Sequence, residues 1–96
     1  MRESDIENYL VERVQALGGM VRKVVWQGRR GAPDRLVVLP LKKEGLFYSD
    51  PSIWIELKAP GKTPEPHQER EHARMRKYGL RVEVVDSIER VNEVLK

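Results

Sequence analysis

The stretch "SIWIELKAPGK", residues 52–62, decides the fold. Ile53, Ile55 and Leu57 alternate with Trp54, Glu56 and Lys58, the period-two pattern of a strand whose two faces differ. Pro60 has no amide proton to give to a ladder and, with Gly61, ends this strand, expected over 53–58. The apolar set anchors a sheet. The other face carries an acid and a base two residues apart, roughly 6.6–6.8 Å along the strand. Taken alone, such a pair is an ordinary ion pair on a solvated face, worth on the order of a few tenths of a kcal/mol.

Working outward, the pattern predicts further elements in the order α-β-β-β-α-β-α. Ser4 followed by Glu7 fits a capping box, and Ile6, Leu10, Val14 and Leu17 form one apolar stripe before Gly18-Gly19, which predicts a first helix over 5–17. "MVRKVVW" (20–26) is β-branched and reads as a strand, "QGRRGAPD" breaks it, and "RLVVLPL" resumes one. "KKEGLFYSDPS" predicts a hairpin turn at Glu44-Gly45 followed by a short extension of the sheet. After the 53–58 strand, Thr63 reads as an N-cap with Pro64 at the first helical position, and that helix runs to Tyr78 with Gly79 closing it. "LRVEVVD" (80–86) is the last strand. Ser87 caps a closing helix with Ile88, Val91, Val94 and Leu95 inward. The expected architecture is α/β, a small mixed sheet flanked by helices, in a single domain spanning 1–96, with the helix between the last two strands forming a crossover.

Composition narrows the function classes. The absence of cysteine excludes disulfides and thiolate metal sites, so any metal must be held by oxygen or histidine. The lack of a long apolar run and the early charges of "MRESDIENYL" lead us to expect a soluble cytoplasmic protein. The net charge of +3 conceals a local balance of +6 between Arg22 and Lys43, where Asp34 is the sole acid. A basic segment of this kind suits a polyanion such as a nucleic-acid backbone.

Asp34 gives the Glu56–Lys58 pair a second meaning. It closes "GAPD", where a glycine and a proline fix the backbone just ahead of a strand. Two carboxylates at neighbouring strand ends repel unless a cation or a proton intervenes. A hard divalent ion resolves that repulsion, because Mg²⁺ takes one or two carboxylates, keeps several waters and accepts substrate phosphate oxygens. Such an ion activates water and stabilises charge developing on phosphorus, and a neighbouring lysine can orient that water.

"GAPD" (31–34), "IELK" (55–58) with 21 residues between Asp34 and Glu56, and Gln68 early in the next helix together resemble the PD-(D/E)XK nucleases. The G-x-P-D form, the "APG" after the lysine and the helical glutamine resemble, more narrowly, the compact stand-alone VRR-NUC family known from phages and bacteria. The resemblance runs from Glu7 to Val85. It implies a Mg²⁺- or Mn²⁺-dependent endonuclease acting on DNA inside a bacterial or phage-infected cell. It further implies a homodimer on branched DNA such as four-way junctions, since two identical sites across a two-fold axis suit a two-fold substrate.

By the same resemblance, Asp34 and Glu56 are metal ligands, with the Leu57 carbonyl as a third. Lys58 positions or helps deprotonate the attacking water, and Gln68 contacts the site or the DNA backbone. Glu7 matches a helical glutamate that supports the metal through water; its competing role is the capping-box acid. Arg29 and Arg30, beside the glycine-rich loop, are the first candidates for phosphate contact, with Arg35, Lys62, Arg70 and Arg74 beside them. Arg70, Arg74 and Lys77 form a helical stripe that could track a backbone or simply face solvent. His67 and His72 lie about 140° apart around a helix and cannot share one metal, so they read as surface or site-rim residues. Trp26 and Trp54 read as core or interface residues, and Phe47, Tyr48 and Trp54 as a candidate dimer surface. Three rival readings remain at this point, a non-catalytic nucleic-acid-binding module, a structural interaction protein, and a nuclease acting on ordinary duplex or flap DNA. The first leaves two acids among phosphate-binding arginines without a purpose, and the second leaves the placement of Asp34 unexplained.

Overall fold

The computed structural model describes all 96 residues, Met1–Lys96. Helix α1, Glu3–Ala16, buries the expected stripe of Ile6, Leu10 and Val14, whereas Leu17 falls at the C-cap and stays exposed. Gly18 follows at φ +83, the left-handed conformation that ends a helix at least cost to a glycine. The N-terminal cap differs from the expected one. Asp5 Oδ2 accepts the Arg2 backbone N–H at 2.8 Å, so Glu7 is not the capping acid and its carboxylate is free for another partner.

Strands β1 (Met20–Lys23) and β2 (Arg35–Val38) pair antiparallel, both shorter than the sequence pattern suggests. The next two, β3 (Lys43–Glu44) and β4 (Phe47–Tyr48), form a separate two-stranded ribbon instead of extending the main sheet. Gly45 opens its turn at φ +62, as a two-residue hairpin loop with glycine first requires. Strand β5 (Ser52–Leu57) then pairs antiparallel with β2 and parallel with β6 (Val82–Val85), giving a mixed sheet of order β1-β2-β5-β6. Helix α2 (Pro66–Lys77) makes the crossover between the parallel pair, and α3 (Ile88–Val94) closes the chain with Ser87 Oγ accepting the Arg90 N–H at 3.0 Å. The expected fold class, a small mixed sheet flanked by helices, is the one observed.

The sheet has two covered faces. Ile53, Ile55, Leu57, Val37 and Val85 pack against α1 and α3 in one apolar core, with Val91, Val94 and Leu95 supplied by the C-terminal segment. On the reverse face lie Met75 of α2 and Val82 of β6, both buried outside that core. The face of β5 that carries Glu56 is therefore not solvated. Glu56 is only 9% exposed beneath α2, which removes the plain surface ion pair from consideration.

Helix α2 begins two residues later than expected. Glu65 is its N-cap and Pro66 its first residue, because Gln68 Oε1 accepts the Glu65 N–H at 2.8 Å. Thr63-Pro64 and Glu65-Pro66 repeat the same cap-then-proline pattern, and only the second has a glutamine three residues on to close the box.

Candidate active site

The loop from β1 to β2 delivers Asp34 rigidly. Val24 N–H donates to the Asp34 carbonyl at 2.9 Å, which carries the β1–β2 ladder one step beyond its last pair. The Trp26 indole N–H donates to the Pro33 carbonyl at 2.8 Å, and its ring leans on Trp54, with centroids 5.0 Å apart at 51°. Pro33 itself is fully buried. On the other side, Gly31 at φ +91 lies against the first turn of α2, so close that a Cβ there would meet the His67 carbonyl oxygen at 2.8 Å. In the β2–β5 register Arg35 faces Ile55, and the next step sets Asp34 opposite Glu56 on one face of the sheet.

Helix α2 addresses the two polar side chains of that strand separately. Lys58 Nζ donates to Gln68 Oε1 at 2.8 Å, while His72 Nε2 stands 3.3 Å from Glu56 Oε1. Burial pushes the Glu56 carboxyl up to about 7; Asp34 and Glu3 add to the rise, and Lys58 and Arg35 oppose it. Burial also lowers the His72 pKa, helped by the positive charges of Arg76 and Lys58. His72 is thus 1% exposed at the heart of the site, contrary to the surface or rim position expected of it. His67 remains half-buried at the first turn of α2.

Glu7 reaches the site from α1 through Arg35. Arg35 Nε donates to Glu7 Oε2, and its Nη1 lies 2.9 Å from Asp34 Oδ1, close in charge but too poorly aligned for a hydrogen bond. Burial works against the Arg35 charge, yet the hydrogen bond to Glu7 and the charges of Asp34 and Glu7 outweigh it and raise its pKa. The guanidinium, 14% exposed, is committed to two carboxylates of the site. Arg29 and Arg74 converge elsewhere, on the buried Glu71, at 3.3 and 3.0 Å. Arg30, Lys62, Arg70 and Lys77 are exposed.

The donor set suits a hard cation. No group of three carboxylate, imidazole or thiolate side chains converges into a cage. What converges is the pair Asp34 and Glu56, with the Leu57 carbonyl between Glu56 and Lys58 in the chain. Two carboxylates, a carbonyl and waters are a set that Mg²⁺ or Mn²⁺ accepts and that softer ions do not prefer. Glu7, paired to Arg35, lies one side chain removed from that pair.

Three residues matter here in ways that sequence reasoning missed: His72, Glu71 and, as a link between carboxylates, Arg35. A signal existed for the first. Gln68, His72 and Met75 fall at helical spacings of four and three, the mark of one buried face, but two polar residues in it hid the stripe.

No family model matches this sequence. A phage protein named "Putative nuclease p44", from Acyrthosiphon pisum secondary endosymbiont phage 1, is 48% identical over 87 residues, which are 91% of this chain and 85% of that protein. A solved structure described as a VRR_NUC domain superposes with a TM-score of 0.78 at 42% identity, covering 97% of this chain and 92% of its own. Likeness of sequence and fold to such relatives over nearly the whole chain defines a nuclease. The chain belongs to the VRR-NUC family, as the residues of "GAPD", "IELK" and Gln68 had implied. Membership of a nuclease family sets aside the two non-catalytic readings. No helix is long and apolar enough to cross a membrane.

Proposed function

We propose that this nuclease is a Mg²⁺- or Mn²⁺-dependent endonuclease that hydrolyses DNA phosphodiesters in branched substrates such as four-way junctions, acting as a homodimer. The observation that carries the chemistry is the Asp34–Glu56 pair, opposed across β2 and β5, with Lys58 tethered beside it by Gln68. A bound cation would activate water and stabilise charge on phosphorus. Asp34 and Glu56 hold that position with carboxylate oxygens, aided by the Leu57 carbonyl. Raised to about 7 without a cation, Glu56 must give up its proton to serve as a ligand. Lys58, fixed at Nζ, orients the attacking water as its oxygen bonds to phosphorus and the bond to the leaving oxygen breaks. Glu7 acts on the site through Arg35. Arg30, Lys62 and Arg70, exposed around it, contact phosphates, and Arg29 and Arg74 join them from Glu71.

A single domain of residues 1–96 holds one such site, so cutting two strands calls for two copies. Phe47 and Tyr48, 77% and 61% exposed on the β3–β4 ribbon, supply an apolar surface that would join them. Trp54, grouped with them from sequence, is half-buried against Trp26 and leaves that surface.

The test is cleavage of a labelled four-way junction, a linear duplex and a single strand with Mg²⁺, Mn²⁺ or EDTA, beside Glu56→Gln and Lys58→Ala. Metal-dependent junction cleavage lost in both variants is the expected result. Binding without cleavage, or equal cleavage by the variants, overturns the assignment. Light scattering at micromolar concentration tests the dimer, and a monomer counts against junction resolution.

A further inference from the structure

The spacing of α2 matches the spacing of β5. Gln68 and His72 are one turn apart, roughly 6 Å along a helix axis, and Lys58 and Glu56 are two residues apart, roughly 6.6–6.8 Å along a strand. Each helix residue meets one strand residue, Gln68 with Lys58 at 2.8 Å and His72 with Glu56 at 3.3 Å. A histidine is a costly choice for simple packing at a site 1% exposed, where Met75 and Val82 show that apolar side chains serve the same layer. Its polar tip points at Glu56 Oε1. The other carboxylate oxygen, Oε2, has no hydrogen bond from the chain.

From this arrangement we infer that His72 is a positioning residue: its Nε2–H holds Glu56 Oε1 and fixes the carboxylate so that Oε2 is presented to a divalent cation. The inference rests on the metal-dependent reading of the site and deepens it. The required tautomer carries its proton on Nε2. A carboxylate ligand whose second oxygen is tethered loses less rotamer freedom on binding, and removal of a partner of this kind typically costs about 10–100-fold in metal affinity. Helix α2 thereby controls both the acid and the base of β5, one through each turn. Any shift of α2 along its axis would misplace Lys58 and Glu56 together.

The chemistry predicts a particular pattern of rescue. A glutamine side chain carries its amide nitrogen about as far from the backbone as Nε2 of histidine, whereas asparagine stops one bond short and leucine offers no donor. Mn²⁺ is titrated into the whole chain without DNA, and the free ion is followed by its electron paramagnetic resonance signal. Thermal unfolding is recorded on the same samples. His72→Gln should bind Mn²⁺ within about threefold of the wild type, while His72→Asn and His72→Leu should bind about 10–100-fold more weakly. If His72→Leu does not fold, the comparison of His72→Asn with His72→Gln decides. Equal weakening in all three variants indicates packing alone and overturns the inference. Affinity that depends on Glu56, shown by its loss in Glu56→Gln, but is unmoved in His72→Asn and His72→Leu overturns the role of His72 and leaves the metal site standing. A wild type that binds no Mn²⁺, or a Glu56→Gln variant that binds it as well as the wild type, overturns the metal reading and this inference with it.

Discussion

Lys58 Nζ and Gln68 Oε1 meet at 2.8 Å, and the same glutamine oxygen accepts the Glu65 N–H that opens α2. One acceptor thus starts the helix and tethers the lysine, so its removal has two separable effects. Gln68→Ala should cost about 1 kcal/mol of stability through the lost cap. It should also lower kcat on the order of 10–100-fold by releasing Lys58, with KM for DNA little changed. Gln68→Glu keeps both acceptor contacts and should keep the stability. Urea unfolding beside cleavage kinetics separates the two, and full activity in Gln68→Ala shows that Lys58 needs no tether.

The Arg35 fork binds Glu7 of α1 on one side and approaches Asp34 on the other. Its removal leaves a half-buried acid without a counter-charge, a situation costlier than the loss of a surface pair. Arg35→Gln should therefore destabilise the protein by about 1–3 kcal/mol, and Glu7→Gln by less, since the arginine keeps Asp34. In a double-mutant cycle the two changes should be strongly non-additive, with a coupling of about 1 kcal/mol or more. Additive losses in chemical denaturation would mean that the contact carries no net energy.

The parts of this fold that sequence revealed are those governed by local periodicity. The alternation in 53–58, the stripe of Ile6, Leu10 and Val14, and the glycines after α1 and α2 each follow from a few neighbouring residues. The same holds for Asp34, because "GAPD" fixes its own backbone. Contacts between distant segments carry no such mark. Glu7 and Arg35 are 28 residues apart, and nothing near either one names the other. His72 sits in "EREHARMRK", whose charges suggest a solvated helix, yet β5 turns its second face toward α2 and buries Glu71, His72 and Met75. The start of α2 lay between two equivalent cap-and-proline pairs, and the choice fell to the acceptor on Gln68.

Stability without metal should depend on pH through Glu56. Burial holds its carboxyl at about 7 against an ordinary 4.5, so between these values the folded protein keeps a proton that the unfolded chain has released. Stability contributed by this group is complete below pH 4.5, falls as pH rises, and reaches its full deficit, on the order of 3 kcal/mol, above pH 7. His72 works in the opposite sense. Its pKa is lowered by burial, so stability is lost as pH falls through and below its unfolded value of 6.5. Glu56→Gln removes only the first effect. With EDTA present, it should match the wild type near pH 4.5 and exceed it by about 1–3 kcal/mol at pH 8 in urea unfolding. Parallel pH profiles for the two proteins contradict the buried position of Glu56.

Gly31 and Gly79 share nearly the same backbone, at φ +91 and +89, but differ in what surrounds them. An added Cβ at Gly79 meets nothing within 4 Å, whereas at Gly31 it would lie 2.8 Å from the His67 carbonyl oxygen. Gly79→Ala therefore measures the cost of left-handed backbone alone, about 1–2 kcal/mol. Gly31→Ala adds a collision with the main chain of α2, which cannot yield as a flexible side chain would. The loop must back away from the helix, and it carries Pro33 and Asp34 with it. Gly31→Ala should lose about 1–3 kcal/mol beyond Gly79→Ala in thermal or urea unfolding. It should also lose cleavage activity under conditions where it remains folded, whereas folded Gly79→Ala cleaves normally. Equal activity in the two variants would show that Asp34 does not depend on the seat of its loop against α2.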